Sequence, residues 1–186
     1  MRLRTRLLIE TYDTGGIPQL QVKTTEQIRP AGPVLALDLG EKLVGVALSD
    51  ERLITTKRLA PLKRSSWKKL LQDVRDLVEG FDAKTIVVGL PVNMDGTEGD
   101  AAQRIRQLAF NLARSVPQPV YLQDERLTSF EAAENLKAEG VKPEDIPAVI
   151  DGAAAALILR DFLVSNEKRI RVDPATNTGE SDPTHA

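Results

Sequence analysis

The sequence contains no cysteine and a single histidine, His185, in a polar stretch near the C-terminus. The first absence excludes disulfides, zinc–thiolate sites and thiol nucleophiles. The second argues against a Ser-His-Asp triad or a histidine-rich metal site. Acid, base and ligand chemistry is left to carboxylates. Long apolar runs are missing too: nothing approaches the ~20 residues of a membrane helix. The N-terminal MRLRTRLLIETYDTGG has only a short Leu-Leu-Ile segment and no small-residue cleavage site. The expected location is therefore cytoplasmic, with no membrane partner. Net charge is scant, because 25 Lys and Arg face 27 Asp and Glu, leaving -2. A basic surface for nucleic acid must then be a local patch. What is present is 41% hydrophobic residues in a chain of 186, which suits one domain with a sizeable core and tails.

Residues 1–32 read as an N-terminal extension. Leu7–Ile9 and Leu20–Val22 flank a Gly-Gly-Ile-Pro turn and suggest a small hairpin. So polar a stretch buries little surface, and a flexible segment is the competing expectation. Residues 165–186 are expected to form a largely disordered tail, from the Pro-, Thr-, Ser- and Gly-rich composition after Asp173. Between them the pattern is regular. Val34–Leu39 is a dense apolar run suited to a central strand. Leu43–Ser49 alternates after a short Gly-Glu-Lys connection and should pair with it as a hairpin. Leu53–Leu59 is a third, weaker strand. Trp67, Leu70, Leu71, Val74, Leu77 and Val78 fall at helical spacing. Residues 84–89 and 120–123 are two further strands. Between them lies a helix carrying Ile105, Leu108, Ala109 and Leu112, with Thr97 and Asp100 as its N-cap pair. Thr128 with Glu131 has the same capping signature, so a helix should begin after Asp124-Glu125-Arg126. Pro147–Leu163 is the last helix, apolar on all sides over AAAALIL and so buried. The order β-β-β-α-β-α-β-α-α predicts an α/β domain, residues 33 to about 164, with a mixed five-stranded sheet and helices on both faces. Ligands on such a sheet sit beyond the carboxyl ends of its parallel strands.

Three acids stand out. Asp38 lies inside VLALDLG, where a carboxylate among apolar neighbours is costly unless paired or metal-bound. A solvated acid at a strand end is the simpler competing reading. Asp124 and Glu125 adjoin at the end of a strand and point to opposite faces. Glu125 is taken as the ligand, against the plain alternative of an acidic helix start favoured by the dipole. Asp151 shares a helical face with Ala154, Ala155 and Ile158, so it looks towards protein, and small alanines let this helix lie close to the sheet. A cluster of the three repels itself unless cations are present. Oxygen ligands suit Mg²⁺ or Mn²⁺, and two such ions activate water against a phosphodiester. Asn93 and Thr97, in the Gly- and Pro-rich loop after the fourth strand, are candidates to hold a phosphate. So are Lys42, Arg104, Arg106 and Arg126, and the basic cluster Lys63, Arg64, Lys68 and Lys69. A solvated helix face explains most of these cations equally well.

The segments VLALDLGEKLVGVALSD, IVVGLPVNMDGTEGDAA, QDERLTS and IDGAAAALIL, in this order, resemble the YqgF family of pre-16S rRNA nucleases, also described as Holliday-junction-resolvase-like. The resemblance spans residues 33 to about 164. It implies a ribonuclease-H-like fold and a metal-dependent nuclease acting in 5′-end maturation of 16S rRNA, with RNA or the pre-ribosomal particle as partner. Its acids fall on Asp38, Glu125 and Asp151, in catalytic and metal-binding roles. Substrate contacts are expected from Lys42, Asn93, Arg126 and Thr128. Leu43 stands where the family usually has a basic residue, and the loop before the last helix is poor in Lys and Arg. Both departures weaken the expected grip on phosphate more than the metal site.

Other functions remain open at this point. A resolvase of branched DNA would use the same chemistry but needs two sites related by a two-fold axis, hence a homodimer. A non-catalytic nucleic-acid-binding module of ribosome assembly would sacrifice stability by keeping three buried acids. An actin-like phosphotransferase, suggested by DLGEKLVGVA, would need a second lobe that so short a domain lacks.

Overall fold

The computed structural model describes residues 30–93, 95–125, 134–143, 145–164 and 169–173. Nearly all of the expected N-terminal extension lies outside them, as do the start of the helix expected after Arg126 and the chain beyond Asp173. Strands β1 (Val34–Leu39), β2 (Leu43–Ser49), β3 (Thr56–Arg58) and β4 (Leu62–Lys63) come first. They are followed by α1 (Trp67–Gly80), β5 (Thr85–Leu90), α2 (Asp100–Ala113), β6 (Val120–Asp124), α3 (Ile146–Val164) and β7 (Arg169–Arg171). Residues 134–138 are also helical.

The strands form one sheet in the order β3-β2-β1-β5-β6-β7, with β4 also paired to β2. β1, β5 and β6 run parallel, while β2 and β3 continue as an antiparallel meander from β1. This is the ribonuclease-H-like arrangement, with seven strands instead of five. The two additional strands span two and three residues, too short to leave an alternating pattern. β7 corrects the boundary of the C-terminal tail: residues 169–171, assigned to that tail, pair antiparallel with β6, placing Arg169 opposite Gln123. The third strand is shorter than expected. Leu53 takes a left-handed backbone with φ of 60°, and the Asp50 carboxylate accepts hydrogen bonds from the amides of Ile54 and Thr55. That turn occupies the residues that would have begun the strand.

Alternation along β1 splits the core into two layers. Leu35 and Leu37 face one side, where α1 and α2 pack through Leu70, Val74, Ala102, Ile105 and Ala109. Val34 and Ala36 face the other, against Ala155, Ile158, Leu159 and Phe162 of α3. The last helix is buried as its sequence demands: Ala154, Ala155, Ile158, Leu159 and Phe162 are all nearly inaccessible. Helix α1 is capped by Ser66, whose hydroxyl accepts from the Lys69 amide at 3.2 Å. Helix α2 is not capped by Thr97. It begins at Asp100 behind Gly99, with no side-chain cap. Thr97 is held in the preceding loop, where its amide and hydroxyl both donate to Asp95 Oδ1 at 2.9 and 2.6 Å. A local turn of this kind competes with capping for the same side chain.

One close approach sets the position of α3. Gly45 of β2 faces this helix, and a Cβ there would overlap the backbone carbonyl of Asp151. Only glycine admits a helix backbone at that range. Gly80, at the end of α1, would meet nothing within 4 Å. Gly45→Ala is therefore expected to destabilise by at least about 1–3 kcal/mol, the usual cost of overpacking. Gly80→Ala should be neutral or slightly stabilising. Denaturant titration of both variants beside the parent checks this, and a shared midpoint would contradict the close approach.

Candidate active site

Asp38 is the penultimate residue of β1 and lies on the face covered by α3. Its partner across the β1–β2 ladder is Gly45. On the other side the β1–β5 register pairs Leu37 with Val88, so Gly89 follows beside Asp38. The carboxylate thus stands between two residues that have no side chain. Each gap is used. The backbone of Asp151 fills the space over Gly45, and the carboxylate of Glu125 fills the space over Gly89, where a Cβ would also strike Ile158. Glu125 directly follows β6, and its amide donates to the Leu90 carbonyl at 3.1 Å. Parallel pairing of β5 with β6 therefore carries Glu125 to the same sheet end as Asp38.

This crowding shows in the protonation of the acids. Burial pushes Asp38 up to about 6, and the negative charge of Asp151 adds to the effect. Burial pushes Glu125 up to about 8, reinforced by Asp38 and then Asp124. Asp38 is the centre of the group: Asp151 acts on it, and it acts on Glu125.

Asp38 and Glu125 line one cleft of about 180 Å³ beyond the ends of the parallel strands. Arg64 and Arg104 stand on its rim. Arg64 is anchored by its Nη1, which donates to the Gly40 carbonyl at 2.8 Å. Asp151 approaches Asp38 from α3 and is not among the residues lining this cleft. The three carboxylates are thus linked in sequence, not gathered at one point, and among the described residues no group of three acids forms a metal-holding cluster. The donor set nevertheless fits a hard divalent ion. Its ligands are all carboxylate oxygens, partly shielded from water, and after burial it is Asp151 that raises the proton affinity of Asp38, and Asp38 that of Glu125.

The expected substrate contacts fare differently. Lys42 is exposed in the β1–β2 turn, and its carbonyl accepts from the Arg64 amide at 2.9 Å. Asn93 is exposed, and its side-chain amide donates to Thr97 Oγ1 at 2.9 Å, closing the loop upon itself. Neither lines the cleft. Arg126 and Thr128 lie outside the described residues. Arg106 is paired with Glu98 and Lys69 with Asp73. Among the described residues, the cations that line the cleft are Arg64 and Arg104. Gly45 and Gly89 are the functional positions that sequence reasoning passed over. Their signal was an isolated glycine inside an otherwise apolar strand, a sign of close approach.

A family model described as "RuvX: Holliday junction resolvase" matches residues 32–165. A protein of Syntrophus aciditrophicus named "Putative pre-16S rRNA nuclease" is 40% identical over 137 residues, covering 73% of this chain and 91% of that protein. One of the same name from Lachnospira eligens is 40% identical over 138 residues, covering 73% and 99%. Among solved structures, RuvC of T. thermophilus in complex with a Holliday junction substrate aligns with a TM-score of 0.47 at 15% identity, covering 74% of this chain and 98% of that one. The family match runs from the start of β1 to the end of α3 and takes in Asp38, Glu125 and Asp151; the chain belongs to the RuvX (YqgF) family.

Proposed function

We propose that the protein is a metal-dependent nuclease that hydrolyses phosphodiester bonds in the 5′-end maturation of pre-16S rRNA, in the cytoplasm. The observation that carries this reading is the pairing of Asp38 with Glu125 in a cleft rimmed by Arg64 and Arg104. Buried acids supply the cation site, and the two guanidiniums suit the non-bridging oxygens of a phosphate. Relatives named as pre-16S rRNA nucleases support the substrate. Asp38 and Glu125, which share the cleft, would hold Mg²⁺ or Mn²⁺, with the Asp151 charge beside Asp38; the ion would supply an activated water and neutralise charge on the phosphodiester. The chain's own part is to hold the acids in place, bind phosphate through the arginines and exclude bulk water from the strand ends. No helix among the described residues is long and apolar enough to cross a membrane.

The description of the family as a Holliday junction resolvase favours branched DNA as the second substrate. Cleavage of a junction needs two copies of the cleft, so that reading requires a homodimer. A purely binding module is disfavoured, because buried acids with raised proton affinity cost stability without a cation to meet.

Cleavage of precursor 16S RNA and of four-way DNA junctions in Mn²⁺ or Mg²⁺ tests these readings together. Asp38→Asn and Asp151→Asn are expected to slow RNA cleavage by at least about a hundredfold, since even residues supporting metal ligands are worth 10–100-fold. Unchanged rates in both variants would reject the site. Cutting of junctions alone would favour the resolvase.

A second expectation concerns pH. In metal-free protein the folded state holds protons on Asp38 and Glu125 that the unfolded chain has released, between about pH 4 and the folded values of about 6 and 8. More protons bound in the folded state means that stability falls as pH rises through this window. The loss should amount to a few kcal/mol between pH 4 and 8, from these two groups. Glu125→Gln should flatten the part of the fall between pH 6 and 8. Mn²⁺ should offset it in the parent and bind more tightly as pH rises, because it displaces protons. Urea denaturation at several pH values, with and without Mn²⁺, is the measurement; a parent whose stability climbs from pH 5 to 8 without metal would refute the assignment.

A further inference from the structure

Next to the acidic cleft lies a second, larger chamber that the proposed hydrolysis does not use. Its volume is about 420 Å³, and it shares Glu41, Arg64, Arg104 and Leu108 with the cleft. The two are thus consecutive compartments along one surface channel, with both arginines at the junction. The chamber's remaining surface is of another kind. It consists of Ser65, Ser66, Trp67 and Leu70 where α1 begins, so that with the shared Leu108 an indole and two leucines border the space. Trp67 is only half-buried: it packs against the core with part of its ring while the rest borders the chamber.

The two volumes divide the work. Small-molecule sites usually measure ~300–1,000 Å³. The chamber falls in that range, whereas the cleft of about 180 Å³ suits a phosphate with its ions and water. An indole beside leucines offers a face on which a planar heterocycle stacks. The guanidiniums at the junction are placed to hold the phosphate between the compartments. The Arg64 guanidinium is steadied by its bond to Gly40, so its remaining donors are presented to the channel at little conformational cost.

Resting on the nuclease reading of the cleft, we infer that the Trp67 chamber receives one unpaired nucleotide flanking the phosphate that Arg64 and Arg104 hold beside the acids of the cleft, its base stacked on the indole. A base within a duplex is already stacked and has no free face to offer. The chamber therefore selects substrates that are single-stranded beside the cut. It also compensates for the phosphate contacts missing at Leu43 and in the loop before α3, because stacking does not depend on net charge.

Trp67 is the only tryptophan of the chain, so its fluorescence reports this chamber alone. Full-length Asp38→Asn protein in Mg²⁺ should be titrated with a five-nucleotide single-stranded RNA, its DNA counterpart and a blunt duplex. Saturable quenching by the single strands, and none by the duplex, is expected. Equal quenching by RNA and DNA assigns recognition to the base; quenching by RNA alone adds the ribose hydroxyl to it. Anisotropy of a labelled strand should show affinity weakened about tenfold or more in Trp67→Ala and less in Trp67→Phe, as loss of one base–aromatic stack implies. If Trp67→Ala fails to fold, the parent titration and Trp67→Phe decide the matter. No quenching, quenching by duplex alike, or unchanged affinity in a folded Trp67→Ala overturns the chamber. The outcome is separable from that of the cleft. Quenching in a protein whose parent form cuts nothing keeps the chamber and removes the nuclease; cutting of RNA without quenching does the reverse.

Discussion

The site depends on how closely the backbone of α3 lies against β2. At Gly45 the Asp151 carbonyl stands where any other residue would place its Cβ. Ala155, fully buried in one cluster with Ala36 and Ala47 of the sheet, lets the same helix settle against it over its next turn. Asp38 is the ladder partner of Gly45, so whatever fixes the helix on Gly45 also fixes Asp151 relative to Asp38. Gly89 repeats the device on the other side, with the Glu125 carboxylate in place of a backbone carbonyl. Two missing side chains thus make room for two acids around a third.

That arrangement is unfavourable by itself. Burial first, and then neighbouring negative charge, push the proton affinity of Asp38 and Glu125 above the ordinary carboxylate range, because both penalise the charged forms. The rest of the fold carries this cost through its two apolar layers, one under α1 and α2 and one under α3. Sites that trade stability for chemistry characteristically violate local rules in this way. Among the described residues, positive charge borders the cleft at Arg64 and Arg104. An almost neutral chain therefore presents both signs of charge within one channel, acidic at the strand ends and basic at the rim.

Much of the architecture was legible because it follows from periodicity. The run at Val34–Leu39, the alternation at Leu43–Ser49 and the helical spacing from Trp67 to Val78 each became the element their pattern dictates. The misjudged features have local causes. The strand from Leu53 shrank because Asp50 caps a tight turn. Thr97 turned to Asp95 and left α2 to Gly99. β7 is three residues long and owes its place to pairing with β6.

By itself the sequence pointed to the class of chemistry and to the acids proposed to carry it. Without cysteine, and with one histidine near its end, it left carboxylates, and apolar surroundings marked Asp38 and Asp151 as costly to place. Tertiary structure decided which of many cations border those acids, and that Asp151 meets Asp38 from behind the cleft instead of lining it. It also decided that Trp67, a core residue by its spacing, keeps part of its ring on a chamber. The physical reason is that burial periodicity is local, a property of neighbours along one element. Proximity across strands depends on register and on how near two backbones come, and a glycine records that only once its partner is known.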